Sequence, residues 1–261
     1  MLDILKDLPN FGGIFDTHSH YDDEKFRDIR DPLLLGLFEG GISGIITCGC
    51  DIESSNAAIA LAEKYENMYA AVGFHPENLP ESEDEFKKII PLLSHKKVVA
   101  LGEIGLDYYW DIPKEPQIEL FEKQLGLANQ LDLPVIVHDR EAHGDTLEIL
   151  KKYKPKGVLH CFSGSVETAK EILNLGMYIG IGGVVTFKNA RKTVEVAEML
   201  PADRILLETD CPYLAPVPFR GKLCHSGLIS YTAERVAEIR GTTAEEIISK
   251  TRENAKNLFG I

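Results

Sequence analysis

The feature that most constrains this chain is a repeated alternation. A short apolar run ends in polar residues and a turn, and a stretch with helical spacing follows. The pattern begins with IFDTHSH (14–20), GISGIITCG (41–49), MYAAVGFHP (68–76) and VVALGEIGLD (98–107). It continues with LPVIVHDRE (133–141), KGVLHCFSG (156–164), MYIGIGGVV (177–185) and ILLETDCPY (205–213). These runs are rich in Val, Ile and Gly without clean polar alternation, as expected of parallel strands buried on both faces. Between them, DIESSNAAIALAEKYE, KEPQIELFEKQLGLANQLD and SVETAKEILNLG carry helix-start residues and apolar positions three and four apart. Eight strand–helix units in about 250 residues is the arithmetic of a (β/α)8 TIM barrel. An open doubly wound sheet is the competing α/β architecture, because strand order is not written in one sequence. The stretch from Ser230 to Ile261 is expected to add two helices that close the outer ring. No internal repeat or linker marks a boundary, so one domain over residues 1–261 is expected.

Hydrophobic residues make up 44% of the chain, enough for a large core, and the formal net charge is −13. That charge argues against a protein that coats nucleic acid by general attraction, but not against local phosphate binding through metal ions. No run approaches the ~18 apolar residues of a membrane span. The opening MLDILKDLPNFGG lacks the basic start, apolar stretch and cleavage site of a signal peptide. Five cysteines (Cys48, Cys50, Cys161, Cys211, Cys224) form no CxxC pair, which suits a reducing cytoplasm better than a disulfide framework.

The unusual residues collect at the ends of the apolar runs. His18 and His20 end the first, His75 the third, and Glu103 and Asp107 the fourth. His138 and Arg140 end the fifth, His160 the sixth and Asp210 the eighth. In a barrel those ends converge on one mouth, where active sites are built. A His-x-His pair alone proves little, although residues i and i+2 of a strand share a face and two imidazoles there grip one cation. Together with Asp16, Glu103, His138, His160 and Asp210, the pair points to a metal centre. The nitrogen and oxygen donor set, without thiolate, suits Zn2+, Mn2+, Co2+, Ni2+ or Fe2+ and is less natural for Mg2+. Four imidazoles and two carboxylates exceed the needs of one tetrahedral ion and fit two divalent ions that share a carboxylate. Such a pair leaves about +2 locally, enough to hold an anionic substrate.

Around this set, Cys161 and Cys211 each follow a candidate ligand, so on a strand they would point into the core. Cys48 and Cys50 are expected in the core as well. Arg140 and Arg220 are the expected contacts for a substrate phosphate, with acid pairing or solvated surface as the alternatives; Lys222 shares the Arg220 loop. Trp110, with Tyr108 and Tyr109, either stacks on a base or packs beneath its loop. His75 is expected to face substrate. His95 and His143 read as surface residues.

FDTHSHYDD, GFHP, GEIGLDYY, PVIVHDREA, HCFSGS and LLETDCPYL resemble, in order and spacing, the motifs of the TatD family of metal-dependent hydrolases. The resemblance runs from about residue 14 to residue 259. It implies an amidohydrolase-type barrel with a two-metal centre. Carried over by motif, His18 and His20 would bind one ion, Glu103 would bridge, and His138 and His160 would bind the second. Asp210 would be a first-site ligand and the catalytic acid/base. Many relatives of this barrel bridge their metals with a carbamylated lysine, a position that Glu103 takes here. One loop departs from the family pattern: Arg220-Gly221-Lys222 is followed by Leu223, Cys224, His225 and Ser226 instead of Arg-Asn-Glu-Pro. His225 there would supply a polar contact or stand exposed.

The resemblance implies a deoxyribonuclease that cleaves phosphodiesters with a metal-activated water, acting through a short contact on a single-stranded DNA end. The alternative is a metal-dependent carbonyl hydrolase, such as a D-aminoacyl-tRNA deacylase. A non-catalytic metal- or nucleic-acid-binding protein fits less well, given the intact constellation and the acidic balance.

Overall fold

In a computed structural model, which describes residues 3–5, 8 and 12–261, all eight apolar runs form strands. They are β1 (Phe15–Ser19), β2 (Gly44–Cys48), β3 (Met68–Val72), β4 (Val98–Asp107), β5 (Val135–Arg140), β6 (Gly157–Leu159), β7 (Tyr178–Ile181) and β8 (Ile205–Leu207). All pair in parallel and in sequence order. The seam between β8 and β1 is joined where Ser19 bridges Cys211 and the His20 amide donates to the Cys211 carbonyl oxygen at 2.8 Å. The architecture is therefore the TIM barrel, and the open sheet is excluded.

The helices are α1 (Arg30–Glu39), α2 (Ile52–Lys64), α3 (Glu83–Lys87), α4 (Ile89–Leu92) and α5 (Lys114–Leu131). They continue with α6 (His143–Tyr153), α7 (Val166–Asn174), α8 (Arg191–Met199), α9 (Ile229–Arg240) and α10 (Ala244–Phe259). Their ends follow local chemistry. Asp51 caps α2 and Thr243 caps α10, each in a reciprocal capping box, and Ser165 caps α7. The two expected C-terminal helices are α9 and α10, and α10 packs against α9, β8 and β1. No helix among the described residues is long and apolar enough to cross a membrane.

The core has two parts. Most buried side chains lie between strands and helices. A second cluster joins Phe15, Ile46, Ala71, Ala100, Ile136, Val158 and Leu206 from seven of the strands, with Phe259 of α10 packed against them. Two residues beyond Ile136, Val158 and Leu206 come His138, His160 and Glu208. Because i and i+2 share a face, the apolar plug inside the barrel continues upward into polar groups at its mouth.

Several runs are longer than the strands they contain. His75, His160 and Asp210 sit just past the last strand residue, where the backbone already turns; Cys161 and Asp210 have left-handed φ values of 44° and 62°. Within β4, the pairing with β5 shifts register between Leu101 and Ile104, beside Glu103. Gly105 pairs with His138 at φ 147°, and a Cβ there would fall 2.0 Å from the His138 carbonyl oxygen. Gly105→Ala should therefore cost at least ~1–3 kcal/mol in urea unfolding, by overpacking alone. Gly126→Ala, where a Cβ in α5 would meet only Tyr153 at 3.8 Å, should instead stabilise by ~0.5–1 kcal/mol. Equal stability of the two variants would contradict the close approach of β4 to β5.

Candidate metal centre

The first donor set starts on β1. His18 is fully buried and His20 half-buried, and their Nε2 atoms lie 3.0 Å apart. Glu103 Oε2 is 3.3 Å from each, and Asp210 Oδ1 is 3.5 Å from each. A tetrahedral shell with bonds of about 2.0–2.1 Å has donor–donor edges of about 3.3–3.4 Å, so these spacings suit one small divalent ion. The other ring edges are fixed from outside. His20 Nδ1 meets the Cys48 carbonyl oxygen at 3.0 Å, and His18 Nδ1 meets Cys48 Sγ at 3.4 Å. With Nδ1 of His20 donating, Nε2 keeps the lone pair that a metal requires.

The second set shares the same carboxylate. Glu103 Oε1 lies 2.9 Å from His138 Nδ1 and 2.7 Å from His160 Nε2, and those two nitrogens are 3.3 Å apart. These edges bracket the ~3.0 Å of an octahedral shell with bonds near 2.1 Å. Asp107 Oδ2, 3.0 Å from His138 Nε2, orients that ring from behind. His160 stacks on His18 with centroids 3.9 Å apart. The donors thus form two histidine sets that share the Glu103 carboxylate, an arrangement suited to divalent metal.

His75 behaves differently. Its Nδ1 accepts from the Glu77 amide at 3.1 Å, so Nε2 carries the hydrogen and faces Glu103 Oε1 at 3.6 Å as a donor. Burial lowers its pKa to about 3 and keeps it neutral. That is a hydrogen-bond donor at the cavity floor and not a free ligand.

The groups of this cluster offset one another's burial through charge and hydrogen bonds. Burial alone would raise Glu103; His160, His18 and His75 around it more than offset this and hold it well below the usual carboxylate range. Burial also works against protonation of His138, yet the hydrogen bonds to Asp107 and Glu103 raise it to about 9. His160 goes the other way, lowered to about 4 by burial and by the neighbouring His18.

Above the donors opens a cavity of about 810 Å3. Arg140 and Trp110 line it, and the Arg140 guanidinium lies 3.7 Å from the Tyr109 ring centroid and 5.8 Å from that of Trp110. Arg220 does not reach it. That side chain is exposed over Phe187, beyond the turn in which the Phe219 amide donates to the Pro216 carbonyl oxygen at 2.7 Å.

Other expectations also change. Asp16 is no ligand: it is fully buried and accepts from Thr209 Oγ1 at 2.8 Å, Ser226 Oγ at 2.7 Å and the His18 amide at 3.3 Å. Cys161 lines the cavity instead of entering the core, because its left-handed backbone breaks strand alternation. Cys50 lines it too, with Sγ 3.9 Å from His20 Nδ1, whereas Cys48 and Cys211 are buried. His225 is buried, not exposed. Sequence reasoning noted Asp107 as a strand end but missed its grip on His138; the i+4 spacing from Glu103 was the available signal. It also missed the rim acids Asp22, Asp23, Asp51 and Glu77, which sit in loops without periodic pattern.

Demetallated protein reloaded with Zn2+ should take up close to two ions per chain, and Glu103→Ala should lose at least one. Because His138 titrates near 9 without metal, loading at neutral pH should displace its proton, and apparent affinity should rise toward pH 9. Calorimetry in buffers of different ionisation enthalpy reads that release; uptake with no proton released would show that His138 is already neutral before loading and overturn this pH dependence.

A profile of TatD related DNases matches residues 15–260. The metal-dependent hydrolase YabD of Bacillus subtilis (strain 168) is 42% identical over 253 residues, covering 95% of this chain and 99% of YabD. The metal-dependent hydrolase YcfH of Escherichia coli (strain K12) is also 42% identical, over 257 residues, with 95% and 96% covered. The crystal structure of YjjV, a TatD homologue from Escherichia coli K12, superposes with a TM-score of 0.89 at 35% identity, covering 95% of this chain and 98% of YjjV. With both the sequence and the barrel matched over nearly their whole length, the chain belongs to the TatD family of metal-dependent hydrolases.

Proposed function

We propose that this hydrolase cleaves phosphodiesters at the end of a single DNA strand. The observation that carries the reading is one carboxylate, Glu103, within donor distance of two histidine sets beneath a cavity whose wall carries Arg140 and Trp110. Two divalent ions held there supply Lewis acidity and lower the pKa of water. Glu103 fixes the spacing of the two donor sets. Asp210, whose side chain is 23% exposed, accepts the proton from the attacking water and returns it to the leaving sugar oxygen as the P–O bond breaks. Arg140 and the His75 Nε2–H donate to non-bridging phosphate oxygens, and Trp110, 48% exposed, stacks on the terminal base. The five cysteines, all free, accord with work in a reducing cytoplasm.

The rim limits how much DNA engages. Arg140 is the sole Lys or Arg among the described lining residues, while Asp22, Asp23, Asp51 and Glu77 stand around it. Beyond the first phosphates this surface repels a polyanion, so contact is confined to the strand end. The same acids favour a second reading, hydrolysis of an aminoacyl ester such as that of D-aminoacyl-tRNA, whose ammonium group they would attract.

Apoprotein reloaded with each candidate metal and offered single-stranded oligonucleotides, aminoacyl-tRNA and a chromogenic ester side by side tests the assignment. Trp110→Ala should slow oligonucleotide hydrolysis roughly 5- to 150-fold, the equivalent of one base stack, and leave the ester almost untouched. Equal losses on both would remove the stacking role, and deacylation without any DNA cleavage would overturn the nuclease reading. Asp210→Asn should lower turnover by ~10²-fold or more on every substrate while the fold persists. Near-normal turnover in that variant would place the proton acceptor elsewhere.

A further inference from the structure

Behind the second donor set lies a carboxyl group that the reaction scheme does not use. Glu208 is 1% exposed and follows β8. Its Oε1 accepts from the backbone amide of Cys161 and lies 3.9 Å from His160 Nδ1. Neither His160 Nδ1 nor Glu208 Oε2 has a hydrogen-bond partner, and both are buried. The space for this carboxyl is built by Gly180 of β7, where a Cβ would lie 2.3 Å from Glu208 Oε2 and 2.9 Å from Oε1. A buried acid in a glycine cradle, beside the unpaired edge of a histidine, is costly unless the two groups serve each other.

We infer that Glu208 is the positioning residue for His160: when His160 ligates, the 3.9 Å between Glu208 Oε1 and His160 Nδ1 closes to a hydrogen bond, and the carboxyl, already held by the amide after His160, aims Nε2 at the second ion. The inference rests on the reading of His160 as a ligand. A His that ligates through Nε2 carries its hydrogen on Nδ1, and a fixed acceptor there sets both tautomer and ring direction. His18, stacked on the flat side of the ring, fixes its plane but not its rotation within that plane. Glu208 supplies the missing restraint, and through the Cys161 amide it also holds the left-handed turn that leads away from His160.

The test is Co2+ or Zn2+ titration of the demetallated full chain, followed by calorimetry and, for Co2+, by visible absorption. Glu208→Ala should weaken the second ion by about 10- to 100-fold and leave the first unchanged. Glu208→Gln keeps an acceptor oxygen in the same shape and should restore second-ion affinity and the Co2+ spectrum. Gly180→Ala, which touches no proposed ligand, should mimic Glu208→Ala by displacing the carboxyl, and it serves as the independent variant if Glu208→Ala folds poorly. Wild-type affinity for the second ion in Glu208→Ala or Gly180→Ala would overturn the inference, as would a Gln variant no better than Ala. A wild-type chain that binds only one ion overturns the two-ion reading, and this inference with it.

Discussion

The centre depends on one buried carboxylate. Glu103, with its side chain 4% exposed, would be costly to ionise in this barrel without the five imidazoles around it. All five converge on it. His18, His20, His75, His138 and His160 come from four places along the chain, and each lies within 3.6 Å of a Glu103 oxygen. The rest of the mouth is arranged to keep this group in position. The register shift in β4 lies beside it, Gly105 lets β5 come close, and Asp107 ties the β5 histidine back to the strand that carries Glu103.

Much of this was legible in the sequence because strand periodicity carries information about direction. Inside the barrel, Ile136 and His138 share a face, as do Val158 and His160, so an apolar run ending in a polar residue specifies where the polar group goes. The reading failed where the backbone leaves the strand. Cys161 was expected to point away from His160 by alternation, but a left-handed φ of 44° turns it into the cavity. Asp16 shares the parity of His18 and was grouped with the ligands, yet it lies one step too deep and is taken by Thr209 and Ser226. Arg220 was placed near the mouth on loop position alone, and no periodicity constrains a loop.

The departing loop illustrates the same limit. Its Ser226 is bound into a buried chain with Tyr21 and Asp16, with oxygen distances of 2.8 and 2.7 Å. Burial outweighs the hydrogen bonds that Ser226 and Thr209 give Asp16 and raises that carboxyl to about 6. His225 next to it is buried and pushed down to about 4, which makes it a neutral packing group at physiological pH. Residues that read as a change in substrate contact therefore act first on how the last loop is fastened beneath the barrel mouth.

The seam between the first and last strands gives the metal centre a mechanical meaning. Along it the Asp210 amide donates to the His18 carbonyl oxygen at 3.0 Å and the His20 amide to that of Cys211 at 2.8 Å. The first donor set straddles this join, with His18 and His20 on one side and Asp210 on the other. An ion bound there acts as a clasp between the two ends of a ring, and by mass action its binding energy adds to the stability of the closed barrel. Loading the centre and fastening the cylinder are then one event, so the same atoms that prepare the chemistry also set how tightly the fold is shut.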